Sequence, residues 1–189
     1  MAFTPWGMSD HQETLAPGIV SYSTPSHGGI YLDEEHNQKM PEGMRNESGW
    51  YEEDCEWAKV AFIFPNAFKP EHVQRAIHTL KNWLPHQYEA ATGTKLDPSE
   101  SAVLRDETWQ AKHKDHLQVI CAFGDWQENV PKGMVGVIMA KDGLCSNGER
   151  YFLVPEDDYK LPFAIEDEKK YEEVSHDFSR LTTQRQATG

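Results

Sequence analysis

Cys55 and His27 are the residues of this 189-residue chain whose types could carry out covalent chemistry. A thiol becomes a nucleophile when a helix N-terminus or a neighbouring imidazole lowers its pKa, and a histidine within reach serves as its base. Cys55 falls near the start of an amphipathic pattern over 51–64, and His27 sits in the Gly-flanked turn Pro25-Ser26-His27-Gly28-Gly29. Joined in space, with Asp54 or His11 orienting the imidazole, they would make a cysteine-dependent hydrolase or transferase. Against this, Glu52, Glu53, Asp54 and Glu56 crowd the thiol, and negative neighbours raise its pKa. Cys55 also lies on the apolar stripe, where a free cysteine packs as a small hydrophobe, and that is the plainer expectation.

Three further groupings have chemical content. Asp106, His113 and His116 share one face of an expected helix and offer three ligands of the kind zinc accepts. Histidines three apart lack the general base of the HExxH pattern, and Lys112 and Lys114 flank them, so no metal and no cofactor are expected. The turn at 25–29 has two glycines but no following lysine and no helix directly behind it. It is neither a P-loop nor a dinucleotide fingerprint, and reads as a hairpin turn carrying an exposed histidine. The acidic runs Asp33-Glu34-Glu35, 52–56 and Glu156-Asp157-Asp158 would create a field that attracts basic, DNA-binding proteins. The expected binding set is therefore Trp50, Glu52, Glu53, Asp54, Glu56 and His27, with Trp6, Trp50 and Trp126 in loops as aromatic anchors.

These residues need a scaffold, and the hydrophobic periods describe one. Residues 1–17, with Pro5, Gly7 and Pro17, read as an irregular arm. Alternation over 19–24, the turn and the apolar 30–32 make a hairpin. Asp33 caps two helical turns to Met40. Helices follow at 51–64, closed by Pro65; from Pro70 to about Leu84; from Pro85 to Gly93; and from the capping box Asp97-Pro98-Ser99-Glu100 to about His116. The period then changes to two. Leu117, Val119, Cys121 and Phe123 share a face, 134–140 is apolar enough for a central strand, and 151–154 is a third strand joined antiparallel through Asp142-Gly143 and Asn147-Gly148. Tyr171, Val174, Phe178 and Leu181 place an amphipathic helix over 167–182, whose apolar face docks on this chain or on a second copy in a homodimer. The expected fold is α+β, a small antiparallel sheet with helices packed on one face, formed by one domain over 1–165 and a C-terminal helix and tail over 166–189.

Composition excludes several classes. With 18 basic and 31 acidic residues the formal charge is −13, which argues against nucleic-acid binding and against docking on anionic lipid. Residues 1–68 hold 11 acidic against 3 basic residues, so over half of the excess lies in the first third. Cys55, Cys121 and Cys145 form no CxxC pair and suit a reducing compartment. The opening 18 residues have neither the basic nor the apolar region of a secretory signal, and no apolar run approaches the ~18 residues of a membrane span.

The blocks Thr4-Pro5-Trp6-Gly7, Asp10-His11, Ala16-Pro17-Gly18-Ile19 and Ser23-Thr24-Pro25-Ser26-His27-Gly28-Gly29 resemble the opening of an uncharacterised domain-of-unknown-function family carried by phages, prophages and conjugative plasmids. Gly49-Trp50-Tyr51-Glu52-Glu53-Asp54-Cys55-Glu56-Trp57-Ala58 resembles its second block, and Glu100-Ser101, Pro131-Lys132-Gly133-Met134-Val135 and 150–155 resemble later ones. The resemblance covers about residues 4–160. It brings no activity with it, and implies a mobile-element accessory protein made in the bacterial cytoplasm. Such a protein would bind a host or phage protein and counter host defence, some acidic ones by imitating DNA.

Overall fold

The computed structural model describes residues 2–141, 143, 148–175 and 178. It is α+β, and the chain divides into two compact units, 1–108 and 109–189.

The first unit opens with a small hairpin, β1 (Phe3–Thr4) and β2 (Gly7–Met8), and continues into β3 (His11–Ala16). The expected irregular arm is thus largely strand: β3 finds its partner in β4 (Ile19–Ser23), and that pairing supplies the order local composition hides. β4 pairs with β5 (Gly28–Leu32) as the hairpin pattern predicts. Asp33 caps α1 (Glu34–Lys39), its carboxylate accepting the His36 N–H at 2.9 Å.

The helix expected over 51–64 is shorter than its periodicity suggests. Trp50–Glu52 is strand β6, held antiparallel to β5 with Gly29 opposite Glu52, Ile30 opposite Tyr51 and Tyr31 opposite Trp50. Helix α2 starts only at Trp57 and runs to Ile63 (Trp57–Ile63). A ladder to a strand twenty residues earlier outweighs the helical spacing of Tyr51 and Cys55. The later helices follow their terminal signals: α3 (Pro70–Trp83) with Pro70 at its first position, α4 (Pro85–Thr92) ended by Gly93, and α5 (Ala102–His113) behind the Asp97–Glu100 capping box.

The sheet β3-β4-β5-β6 has two faces of different character. Pairing in register puts Ile19, Ile30 and Tyr51 on the inner face, where they pack with Val60, Ala76 and Leu80 into one buried core. The outer face carries Tyr22, Tyr31 and Trp50. Trp50 lies 5.3 Å from Tyr22 and 4.9 Å from Tyr31 between ring centroids, and Trp6 meets it edge-on at 5.7 Å. Gly29 makes this possible, because the Trp6 ring occupies the space a Cβ there would need.

The second unit is a separate antiparallel sheet ordered β10-β7-β8-β9-β11, with β7 (Leu117–Phe123), β8 (Met134–Lys141), β9 (Arg150–Pro155), β10 (Ala164–Ile165) and β11 (Glu172–Val174). β8 is central, with Val137 and Met139 in one core and Ile138 in another across the sheet. A register shift between Val119 and Cys121 turns Cys121 out to solvent, where strict alternation would have placed it with Leu117. The helix expected over 167–182 is overturned where it can be seen: Glu172–Val174 is a strand on the edge of β9, Glu173 opposite Phe152. The open edge supplies backbone partners, and Arg150 clamps Glu173 and Glu168 at 2.6–2.7 Å. Residues 176, 177 and 179–182 of that expected helix, and Cys145, lie outside the described residues. Among the described residues no helix is long and apolar enough to cross a membrane.

Candidate functional site

The first unit carries a cleft of about 580 Å³, within the range of small-ligand and side-chain pockets. Glu13 and Ser21 reach it from the sheet, Glu53 and Asp54 from the turn after β6, and His72, Arg75 and Thr79 from α3. Trp57 and Phe68 supply apolar wall, and the Arg75 guanidinium stands 5.8 Å from the centre of the Trp57 ring. One wall is therefore acidic, the other basic. His72, Arg75 and Thr79 escaped the sequence reading, although their spacing of three and four along α3 marks a polar stripe beside its apolar one.

The acidic run divides in function. Glu56 turns inward: its carboxylate accepts from Lys59 Nζ at 2.8 Å and from Asn46 Nδ2 at 2.7 Å. Burial raises the Glu56 pKa, but the Lys59 and Asn46 hydrogen bonds outweigh it and the net displacement is downward. Lys59 is itself only 4% exposed, so this is an internal ion pair and Glu56 leaves the expected binding set. Glu52, Glu53, Asp54 and Glu13 make no ion pair among the described residues. Glu52 instead accepts the Asp54 N–H at 2.8 Å.

His27 is exposed at the neighbouring end of the sheet. Thr24 closes its turn, the Thr24 hydroxyl donating to the His27 carbonyl at 2.9 Å and accepting the His27 N–H at 3.1 Å. One ring nitrogen of His27 and one carboxylate oxygen each of Glu52 and Glu53 come within 4.8 Å of one another. Cys55 does not join them. It precedes α2 in a turn, half-buried, and makes no hydrogen bond to His27. Burial pushes its thiol pKa up, and Asp54, Glu52 and Glu56 push it the same way. These influences favour the protonated thiol, and no hydrogen bond links it to the base a nucleophile needs. His11 lies on β3 opposite Ser23.

Trp50, expected in a loop, is instead the hub of the outer aromatic face, whereas Trp126 is 76% exposed. Of the candidate ligand histidines, His113 is engaged otherwise: its Nδ1 lies 2.8 Å from the Trp109 carbonyl and its Nε2 3.1 Å from Glu166. His116 meets the His113 ring edge-on, and its buried Nδ1 has no hydrogen-bond partner among the described residues. Asp106 is exposed on α5 and belongs to no ligand group among the described residues.

Residues 1–114 match a family model described as a domain of unknown function, DUF7007. The chain belongs to this family. No curated protein and no solved structure matches it. The DUF7007 region takes in the aromatic face, the cleft and the His27–Glu52–Glu53 group, while the strands β7–β11 lie beyond it.

Proposed function

We propose that the protein is a binding module of a phage, prophage or conjugative plasmid, working in the bacterial cytoplasm and capturing a basic segment of a host or phage protein. A DNA-binding protein carries such segments, and seizing one would counter host defence. The observation that supports this reading is the set of carboxylates at the cleft, Glu13, Glu53 and Asp54, with Glu52 beside them, none neutralised by a cation among the described residues. Unpaired acids gathered on one rim create a negative potential that steers and retains a cationic partner. Trp57 and Phe68 in the same cleft give the stem of an inserted lysine or arginine an apolar surface.

The test is capture of host-cell proteins by the immobilised full chain at about 50 mM and about 500 mM salt, where the screening length falls roughly threefold. The reading expects retained proteins to be basic, to be released at high salt, and to be lost with the double variant Glu53→Lys/Asp54→Lys. Retention that is indifferent to both salt and charge reversal refutes it.

A further inference from the structure

The end of the β5–β6 ladder has a chemistry that goes beyond partner capture. Successive residues on a strand point to opposite faces, so Glu52 and Glu53 converge because β6 ends at Glu52 and the chain turns there. The Glu53 N–H donates to the Gly28 carbonyl at 3.1 Å, tying the turn to the residue after His27. A Cβ on Gly28 would stand 2.6 Å from Glu53 Oε2, so the bare glycine lets this carboxylate lie beside His27. The result is one imidazole and two carboxylates whose ligand atoms all fall within 4.8 Å. The His27 ring makes no hydrogen bond or ion pair to either acid, and no lysine or arginine among the described residues neutralises them.

We propose that His27, Glu52 and Glu53 form a binding site for a divalent first-row transition ion. Two carboxylates answer its charge, and the imidazole selects a borderline ion such as Zn²⁺ or Co²⁺ over Mg²⁺ and Ca²⁺, which favour oxygen throughout. Three atoms no more than 4.8 Å apart all lie within about 2.8 Å of a common point, and Zn–N and Zn–O bonds are about 2.0–2.2 Å. Small rotations of the exposed His27 and Glu53 and the half-buried Glu52 side chains close that difference. Three protein ligands leave at least one position open, as in zinc sites that exchange water for another ligand. Glu53 is also a wall of the cleft, so a bound ion stands where a cleft occupant can reach it.

The experiment is calorimetric titration of ZnCl₂ into the full chain, stripped with chelator and desalted, with Co²⁺ absorption as a second readout of the ligand set. The site predicts one ion per chain, bound about tenfold or more weakly by each of His27→Gln and Glu53→Gln, with unchanged circular dichroism, and bound normally by Asp106→Asn. Absence of binding, binding that survives both site variants, or binding abolished instead by His113→Gln overturns the proposal. No partner protein is involved, so this result is independent of the one that tests capture.

Discussion

Tyr51 connects the buried core to the acidic rim, and removing its hydroxyl tests the account of how that rim is held. The side chain is 0% exposed at the centre of β6. Its hydroxyl donates to Asn37 Oδ1 at 2.6 Å and accepts the Asn46 N–H at 3.1 Å. Asn46 in turn donates to the Trp50 carbonyl at 2.8 Å and to Glu56 at 2.7 Å, so one network spans α1, β6 and the turn before α2. Tyr51→Phe deletes one oxygen and preserves the ring's packing. It leaves an acceptor on Asn37 and a donor on Asn46, each costing about 1–3 kcal/mol if it stays buried. Both asparagines are half-buried, so water recovers part of the loss, and the lower end of the range applies to each, about 2 kcal/mol together. With a urea dependence of roughly 1.5 kcal/mol per molar, the unfolding midpoint falls by roughly 1.3 M. Tryptophan fluorescence is the assay, because Trp6, Trp50, Trp57 and Trp83 all belong to residues 1–108. A midpoint within roughly 0.3 M of the unsubstituted protein would refute the argument that these two hydrogen bonds hold β6.

Two further outcomes follow from the thiols and from the acid-sensitive pairs. Iodoacetamide labelling of the folded chain, read by peptide mass spectrometry, should modify exposed Cys121 well before half-buried Cys55, whose pKa burial and acidic neighbours raise; faster labelling at Cys55 would contradict this. Glu89 accepts from Lys95 Nζ at 2.7 Å and from the Leu96 N–H at 2.8 Å, and these hydrogen bonds lower its pKa in the folded state. A depressed carboxyl contributes stability that is present above its unfolded value, ~4.3, and is lost as pH falls through the folded value. The stability gap between the parent and Glu89→Gln should therefore shrink on acidification from about pH 6 to about pH 3, and a gap independent of pH in urea titrations would show that the carboxylate's charge has no part in it.

Much of the scaffold was legible wherever a local signal marks an element's end. Asp33, Pro70, Pro85, Gly93 and the Asp97 capping box each stand at an observed boundary, because capping is chemistry between residues a few positions apart. The central place of β8 was legible for a similar reason, since a strand buried on both faces must be apolar throughout. The acidic character of 52–56 could be read as well. What the residues alone left open was which carboxylate faces outward, and there Glu56 and Glu53 part company.

That division comes from contacts distant in sequence. β6 is a strand because Gly29, Ile30 and Tyr31 offer it hydrogen bonds, although 51–64 has helical spacing; β11 is a strand because β9 has an open edge. The β5–β6 register brings His27 to Glu52 and Glu53, and Lys59 with Asn46 draws Glu56 inward. The sequence by itself determined the fold class, the helix ends marked by a cap, a proline or a glycine, and the negative charge, all of them sums over neighbouring residues. Only the tertiary structure decided the partners of β3, β6 and β11, the cleft that sets α3 against the acidic turn, and the meeting of one imidazole with two carboxylates. Backbone pairing energy depends on a partner many residues away, and local periodicity contains no term for it.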